Sequence, residues 1–303
     1  MSDTNGRARG DPLESWIDSI ALIGPGLPDW TSACALLRAP HPFEPAATVA
    51  TLPPILPPAE RRRTSLAVRI ALAAGHQAVS ESSFKAQEMG SVFTSSGGDG
   101  VTCHLICEAL AQEDRRISPT HFHNSVHNAP SGYWGIAMQA TSSSTSLCGH
   151  DASFAAGLLE AMVQVTTSGS PVILVAYDAP YPDPLRRCRL VADAFALALV
   201  LSPRPTAKAG MRLSLALALA AGFDGEFKNE VAAVASRRGD VPEPTRMADA
   251  ALEEMRLAIP SARALPLMQA IARREAGKVI LEYLEAPDPT QPPSRLQVTL
   301  SAP

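Results

Sequence analysis

The sequence runs short of several things, and each shortage removes a class of protein. No apolar run approaches the roughly 18–20 residues needed to span a bilayer. The polar opening stretch MSDTNGRARGDPLES lacks the apolar centre of a secretory signal. The five cysteines, Cys34, Cys103, Cys107, Cys148 and Cys188, are odd in number and scattered, which fits a reducing, cytoplasmic setting better than a disulfide framework. At a net charge of −4, nothing suggests a general binder of nucleic acid or membrane surfaces. Aromatics are few: three Trp, four Tyr and eight Phe. No G-x-S-x-G elbow surrounds Ser142–Ser144 or Ser146, so a serine hydrolase finds no support. The turn Gly97-Gly98-Asp99-Gly100 has neither the P-loop lysine nor the G-x-G-x-x-G pattern. The seven histidines, His41, His76, His104, His121, His123, His127 and His150, all lie in the first half.

What remains is a chain of 303 residues, 46% hydrophobic and 18% charged, able to bury a substantial core. Residues 1–13 read as a disordered leader. Strands are expected at Trp16–Leu22, Ser91–Ser95 and Thr141–Leu147. The uninterrupted apolar runs PVILVAY (171–177), AFALALVL (194–201) and RLSLALALA (212–220) read as strands buried on both faces. Helical spacing predicts helices over Asp29–Leu37, Ala59–Ser80, Val101–Gln112, Pro130–Met138 and Ala152–Val165, the last with Asp151 as N-cap. A Pro-rich loop covers 40–58, and Asp114–His127 reads as a polar loop. Residues 222–245 read as a linker. Helices at Ala248–Ala258 and Ala262–Arg274 precede strands at Lys278–Leu284 and Leu296–Leu300. Alternating strands and helices give an α/β class.

The segment SPTHFHNSVHNAPSGYWGIAMQATSSSTSLCGHDASFAAGLLEAMVQV (118–165) resembles the centre of the β-ketoacyl synthases of the thiolase superfamily. Those enzymes carry Ser-Pro, then Asn-x-x-x-Gly, a helix, and a Gly/Ser-rich strand ending at a nucleophilic cysteine that opens a small-residue helix. The matching pieces are Ser118-Pro119, Asn128 to Gly132, the strand Ser142–Leu147 and the helix after Asp151. Arg61-Arg62-Arg63 resembles the family's basic lead-in. The ordered series, over roughly residues 14–220, carries the likeness. It implies a thiolase-like ketosynthase N-terminal half, a mixed sheet covered by helices. Residues 14–221 would be that domain, and 222–303, too few for a second half, a short C-terminal α/β cap.

Counted without gaps from Asn128, the family's cysteine falls on Asp151. A thiolate at a helix N-terminus is a good acyl acceptor; a carboxylate there is a poor nucleophile toward a thioester. Cys148, three residues earlier, is the alternative nucleophile, with His150 or His127 as its base, in an acyltransferase or thioesterase. The family's C–C bond formation also uses histidines of its C-terminal half, and this chain has none beyond His150 and no His-Gly-Thr-Gly. Phe195, in Asp193-Ala194-Phe195-Ala196 where the family has glycines, would crowd a pocket and shape a tunnel.

The resemblance therefore implies a chain that is not itself an enzyme: a chain-length-factor-like subunit, similar to the short ketoacyl-synthase-like proteins of aryl polyene and xanthomonadin-type pathways. Its implied partners are a full-length β-ketoacyl synthase, in a heterodimer, and acyl carrier protein bearing phosphopantetheine thioesters, in fatty acid or polyketide synthesis. A plain assembly scaffold is the other reading. The family's dimer seam maps onto Asn128–Asp151, where Asn128, Tyr133, Trp134 and Met138 are candidate interface residues, with core packing as the rival account of the bulky ones. The His121-x-His123-x-x-x-His127 series has no carboxylate or cysteine at ligand spacing, and Cys103 and Cys107 are expected to pack rather than bind zinc. No metal and no cofactor is expected.

Overall fold

The structure, a computed structural model, describes residues 13–38, 43–208, 210–218, 242–284 and 293–302. The expected leader, apart from Leu13, which opens the first strand, and most of the expected linker lie outside them.

Within these residues one eight-stranded mixed sheet runs through the molecule in the order β3-β2-β4-β5-β1-β6-β8-β7. The strands are β1 (Leu13–Ile23), β2 (Gly90–Thr94), β3 (Ser144–Leu147), β4 (Val172–Asp178), β5 (Phe195–Ser202), β6 (Met211–Ala218), β7 (Gly277–Leu284) and β8 (Ser294–Ser301). β2 pairs in parallel with β3 and β4; every other pairing is antiparallel. The C-terminal segment, expected as an α/β cap, supplies β7 and β8 to this same sheet.

The helices are α1 (Trp30–Arg38), α2 (Pro58–Arg63), α3 (Leu66–Glu81), α4 (Gly100–Ala111), α5 (Pro119–Asn124), α6 (Ala129–Met138), α7 (Ser153–Ser168), α8 (Leu185–Cys188), α9 (Ala250–Ala258) and α10 (Leu265–Arg273). Two apolar cores lie on the two faces of the sheet. Period-2 alternation divides β4 and β5 between them even though both strands are apolar throughout. Val172, Leu174, Phe195, Leu197 and Leu199 face α7, α9 and α10. Ile173, Val175, Tyr177, Ala196 and Ala198 face α3 and α6. The small residues on that second face let α3, with Ala67, Ala71, Ala74 and Ala78 buried, lie close to the strands. Gly75 extends this closeness: a Cβ there would lie 2.7 Å from Cζ3 of Trp134.

Three local expectations need correction. The single helix expected over Ala59–Ser80 is two, because Thr64 is extended and Ser65 restarts the chain as an N-cap, its Oγ accepting the Val68 amide at 3.3 Å. The loop expected over Asp114–His127 contains α5, started by Pro119 at its first helical position. Asp151 does not cap α7: it sits inside a 3₁₀ turn (His150–Ala152), and the residue preceding α7 is Ala152.

Candidate functional site

Parallel strands with helical crossovers bring their C-terminal ends to one edge, where ligand sites of α/β sheets collect. Here those ends are Thr94, Leu147 and Asp178. From β2 the chain turns through Ser95–Asp99 into α4, whose N-cap Asp99 accepts the Thr102 amide at 3.0 Å. From β3 it passes Cys148, His150 and Asp151 into α7. From β4 it enters a loop carrying α8 and Arg189.

At this edge Asp151 is a bridge between two arginines. Its Oδ1 accepts from Nη2 of Arg189 at 2.6 Å and its Oδ2 from Nη2 of Arg263 at 3.0 Å. Arg263 also bonds Glu282 of β7, and Glu282 accepts from Arg256 of α9 at 3.3 Å. Arg256 closes on Glu253 through two bonds of 2.8 Å. The result is an alternating row, Arg189–Asp151–Arg263–Glu282–Arg256–Glu253, drawn from five separate stretches of chain. The Arg256 hydrogen bond and charge hold the Glu253 carboxyl below its ordinary value, and Glu253 in return raises the Arg256 guanidinium. Burial works against the charge of Arg189, but the hydrogen bond and charge of Asp151 outweigh it and hold that guanidinium above its usual value. Beneath the row lies Asp178, 2% exposed, accepting from the Ser96 amide (2.9 Å), the Ser96 hydroxyl (2.6 Å) and the Ser261 amide (2.8 Å). Burial pushes its carboxyl up.

The alternative nucleophile, Cys148, is exposed, and its thiol donates to the Ser96 carbonyl at 3.1 Å. Neither candidate base is hydrogen-bonded to it. The Nε2 of His127 pairs with the Leu147 carbonyl at 2.9 Å, and that of His150 lies 2.6 Å from Nη1 of Arg189. His123 meets the ring of Tyr133 edge-on at 5.7 Å. Among the described residues no three His, Cys, Asp or Glu side chains gather as a metal site, and no helix is long and apolar enough to cross a membrane.

Of the expected seam residues, Asn128 is exposed at the start of α6 and Met138 is half-buried. Tyr133 and Trp134 correct the expectation for surface anchors: at 1% and 2% exposure they are core residues. Trp134 packs on Gly75 and Phe93, and the Tyr133 hydroxyl donates to Asn124 at 3.0 Å. Phe195 is fully buried at the start of β5, its ring lying where a Cβ on residue 24 would come within 2.5 Å, so glycine is required there. It sits in the core facing α7.

What the sequence reading missed is a set of exposed apolar side chains on α4, α5, α6 and the turn between α5 and α6. Val101 and Leu110 of α4, Phe122 of α5, Val126 of the turn between α5 and α6, and Ile136 of α6 are all between 42% and 65% exposed. The signal was present: α4, GVTCHLICEALA, is apolar almost all round, a pattern of helices covered on every side. The ion row had no such signal, since Arg263 lies 112 residues from Asp151.

Several solved structures share this architecture. One is the ketosynthase ApeO in complex with its chain length factor ApeC from Xenorhabdus doucetiae, with a TM-score of 0.64 and 20% identity over 94% of this chain and 98% of that one. The ishigamide ketosynthase/chain length factor gives 0.65 at 11% identity over 95% and 99%. A beta-ketoacyl synthase from Burkholderia phymatum gives 0.63 at 11% over 96% and 99%. At such identities the likeness is one of fold, thiolase-like. No curated protein matches the chain in sequence. Residues 35–272 match the family described as beta-ketoacyl synthase, N-terminal domain. The chain belongs to the β-ketoacyl synthase N-terminal domain family.

Proposed function

We propose that this chain is a non-catalytic, chain-length-factor-like subunit that replaces one protomer of a β-ketoacyl synthase dimer. The observation that carries the reading is the corner between β3 and α7. Where the family resemblance expects a cysteine, Asp151 bridges two arginines. A carboxylate so engaged is a weak nucleophile, and its acyl product would be a labile anhydride. The absence of any histidine after position 150 supports the same reading.

The partner would be a full-length synthase. Among the described residues β3 is an edge strand, α6 with its exposed Ile136 packs against it, and α4 and α5, which pack on each other, expose Val101, Leu110 and Phe122. Large apolar patches of this kind mark protein interfaces. The subunit would buttress the partner's acyl tunnel and limit the growing chain in fatty acid or polyketide synthesis of the aryl polyene type. Acyl groups would arrive on carrier protein as phosphopantetheine thioesters. The exposed Arg61, Arg62 and Arg63 of α2 offer cationic contacts for the phosphodiester or for an acidic carrier. The setting would be cytoplasmic, in keeping with five unpaired cysteines.

Co-expression with the ketosynthase encoded nearest to it, followed by native mass spectrometry, tests the reading. The expected result is a 1:1 complex. A chain that stays monomeric or pairs only with itself overturns it. Product analysis then separates a chain-length factor from a scaffold: variants of the former change product length, whereas variants of the latter lower yield alone.

A further inference from the structure

We propose that Asp151 is an internal counter-ion whose bridge between Arg189 and Arg263 holds the C-terminal segment in its seat over the strand ends. The segment between α9 and α10, Pro260–Ala264, lies against the end of β4 and the start of β5, and Ser261, Ala262 and Ala264 are buried there. The Ser261 amide donates to Asp178, the Ser261 hydroxyl to the Phe195 carbonyl, and Arg263 reaches Asp151 on the turn that opens α7. From Arg263 the row continues through Glu282 of β7 to Arg256 and Glu253 of α9. The C-terminal helix, turn and strand are thus linked by charge to one carboxylate on the N-terminal side.

The charge pattern makes that carboxylate the weak point of the row. Arg189 and Arg263 meet no other carboxylate on the Asp151 side, and the Nε of each is buried without a partner among the described residues. Without Asp151, two half-buried guanidinium groups would face each other, and removing one partner of a partly desolvated ion pair leaves the other uncompensated. Glu282 would still neutralise Arg263 from the other side, so the damage should stay local. The bridge exists within the isolated chain and needs no synthase partner.

The test is hydrogen exchange by mass spectrometry on the purified full chain, comparing Asp151→Ala, Asp151→Asn and Arg263→Met, with sodium formate or sodium chloride at equal ionic strength. Asp151→Ala is expected to speed exchange across residues 260–264 about tenfold or more, while the amides of β4 and α3 keep their protection. Formate, a free carboxylate that fits the vacated corner, should slow that exchange where chloride does not, and should do nothing for Arg263→Met. If Asp151→Ala does not fold, Asp151→Asn, which keeps the shape and removes the charge, carries the exchange comparison, without the formate arm. Unchanged exchange at 260–264, an increase spread evenly over the chain, or a change that formate fails to reverse would each overturn the inference.

Discussion

Helices α3 and α4 are made of similar material and meet opposite surroundings. α3, LAVRIALAAGHQAVSE, carries two charged residues and buries nine, from Ala67 to Ala78. α4, GVTCHLICEALA, carries one charged residue and buries only Gly100 and Thr102. The difference lies in what the chain provides opposite each. Under α3 lie β1, β5 and β4 with small side chains, Ala21, Ala196 and Ala198, that allow close approach. Among the described residues nothing of comparable breadth covers α4, which leaves Val101 and Leu110 open beside Phe122. Apolar content therefore states that a helix wants covering, not that its own chain does the covering.

The largest way to break this contrast lies on the α3 side. Trp134 fills the space above Gly75 and tilts against Phe93 at 6.1 Å between ring centroids. Trp134→Ala should cost about 3–5 kcal/mol, the range for emptying a large aromatic site in a core. Chemical denaturation of the isolated chain measures it. A loss below about 1 kcal/mol would mean that Trp134 is an interface anchor and not a core residue.

That residue also shows how far the sequence could be read. The apolar runs at 171–177 and 194–201 announce doubly covered strands because nothing polar interrupts them, and β4 and β5 occupy those positions. The thiolase-like class followed from the order of motifs around Asn128 and Asp151. An aromatic pair such as Tyr133-Trp134 carries no mark of whether its cover comes from α3 or from another chain, so the face it chose was not legible. Asp151 looked like a helix cap because caps are local; its actual partners, Arg189 and Arg263, come from 38 and 112 residues away. The short helix α5 was hidden by its length, six residues in a polar stretch with three histidines.

The α4 side is sharpened by charge. Phe122, 65% exposed, and Ile136, 49% exposed, make no contribution to the core that their surface position would lose. Phe122→Asp and Ile136→Asp should leave the stability of the isolated chain within about 0.5 kcal/mol, as exposed substitutions do. Each should weaken the proposed complex with a synthase at least about tenfold, since a charge would be buried in its apolar seam. Co-purification and titration by native mass spectrometry read the second quantity, and thermal melts the first. Full binding by both variants would place the seam elsewhere.

The smallest effect concerns how the two ends of the sheet respond to acid. At the far end, the irregular register between Ile17 and Ser19 turns Asp18 toward the end of α3, where it accepts from Ser82 Oγ at 2.7 Å, from the Ser83 amide at 2.8 Å and from Thr206. Burial works against its charge, but the hydrogen bonds of Thr206, Ser83 and Ser82 together outweigh it and hold the carboxyl below its ordinary value. A lowered folded pKa means that its stabilisation is present above the usual carboxylate range and is lost as pH falls through the folded value. Asp178, at the site end, is pushed the other way by burial, so its contribution is fullest at low pH and is lost as pH rises through its raised value. Asp18→Asn should cost about 1 kcal/mol at neutral pH, the scale of one net hydrogen bond, and the gap to the native chain should close on acidification. For Asp178→Asn the gap should widen on acidification instead. Denaturation midpoints measured from neutral pH down to the acid limb would show the two gaps moving in opposite directions; parallel movement would mean that the hydrogen bonds from Ser96 and Ser261 outweigh burial at Asp178, and that both ends hold ionised carboxylates for the same reason.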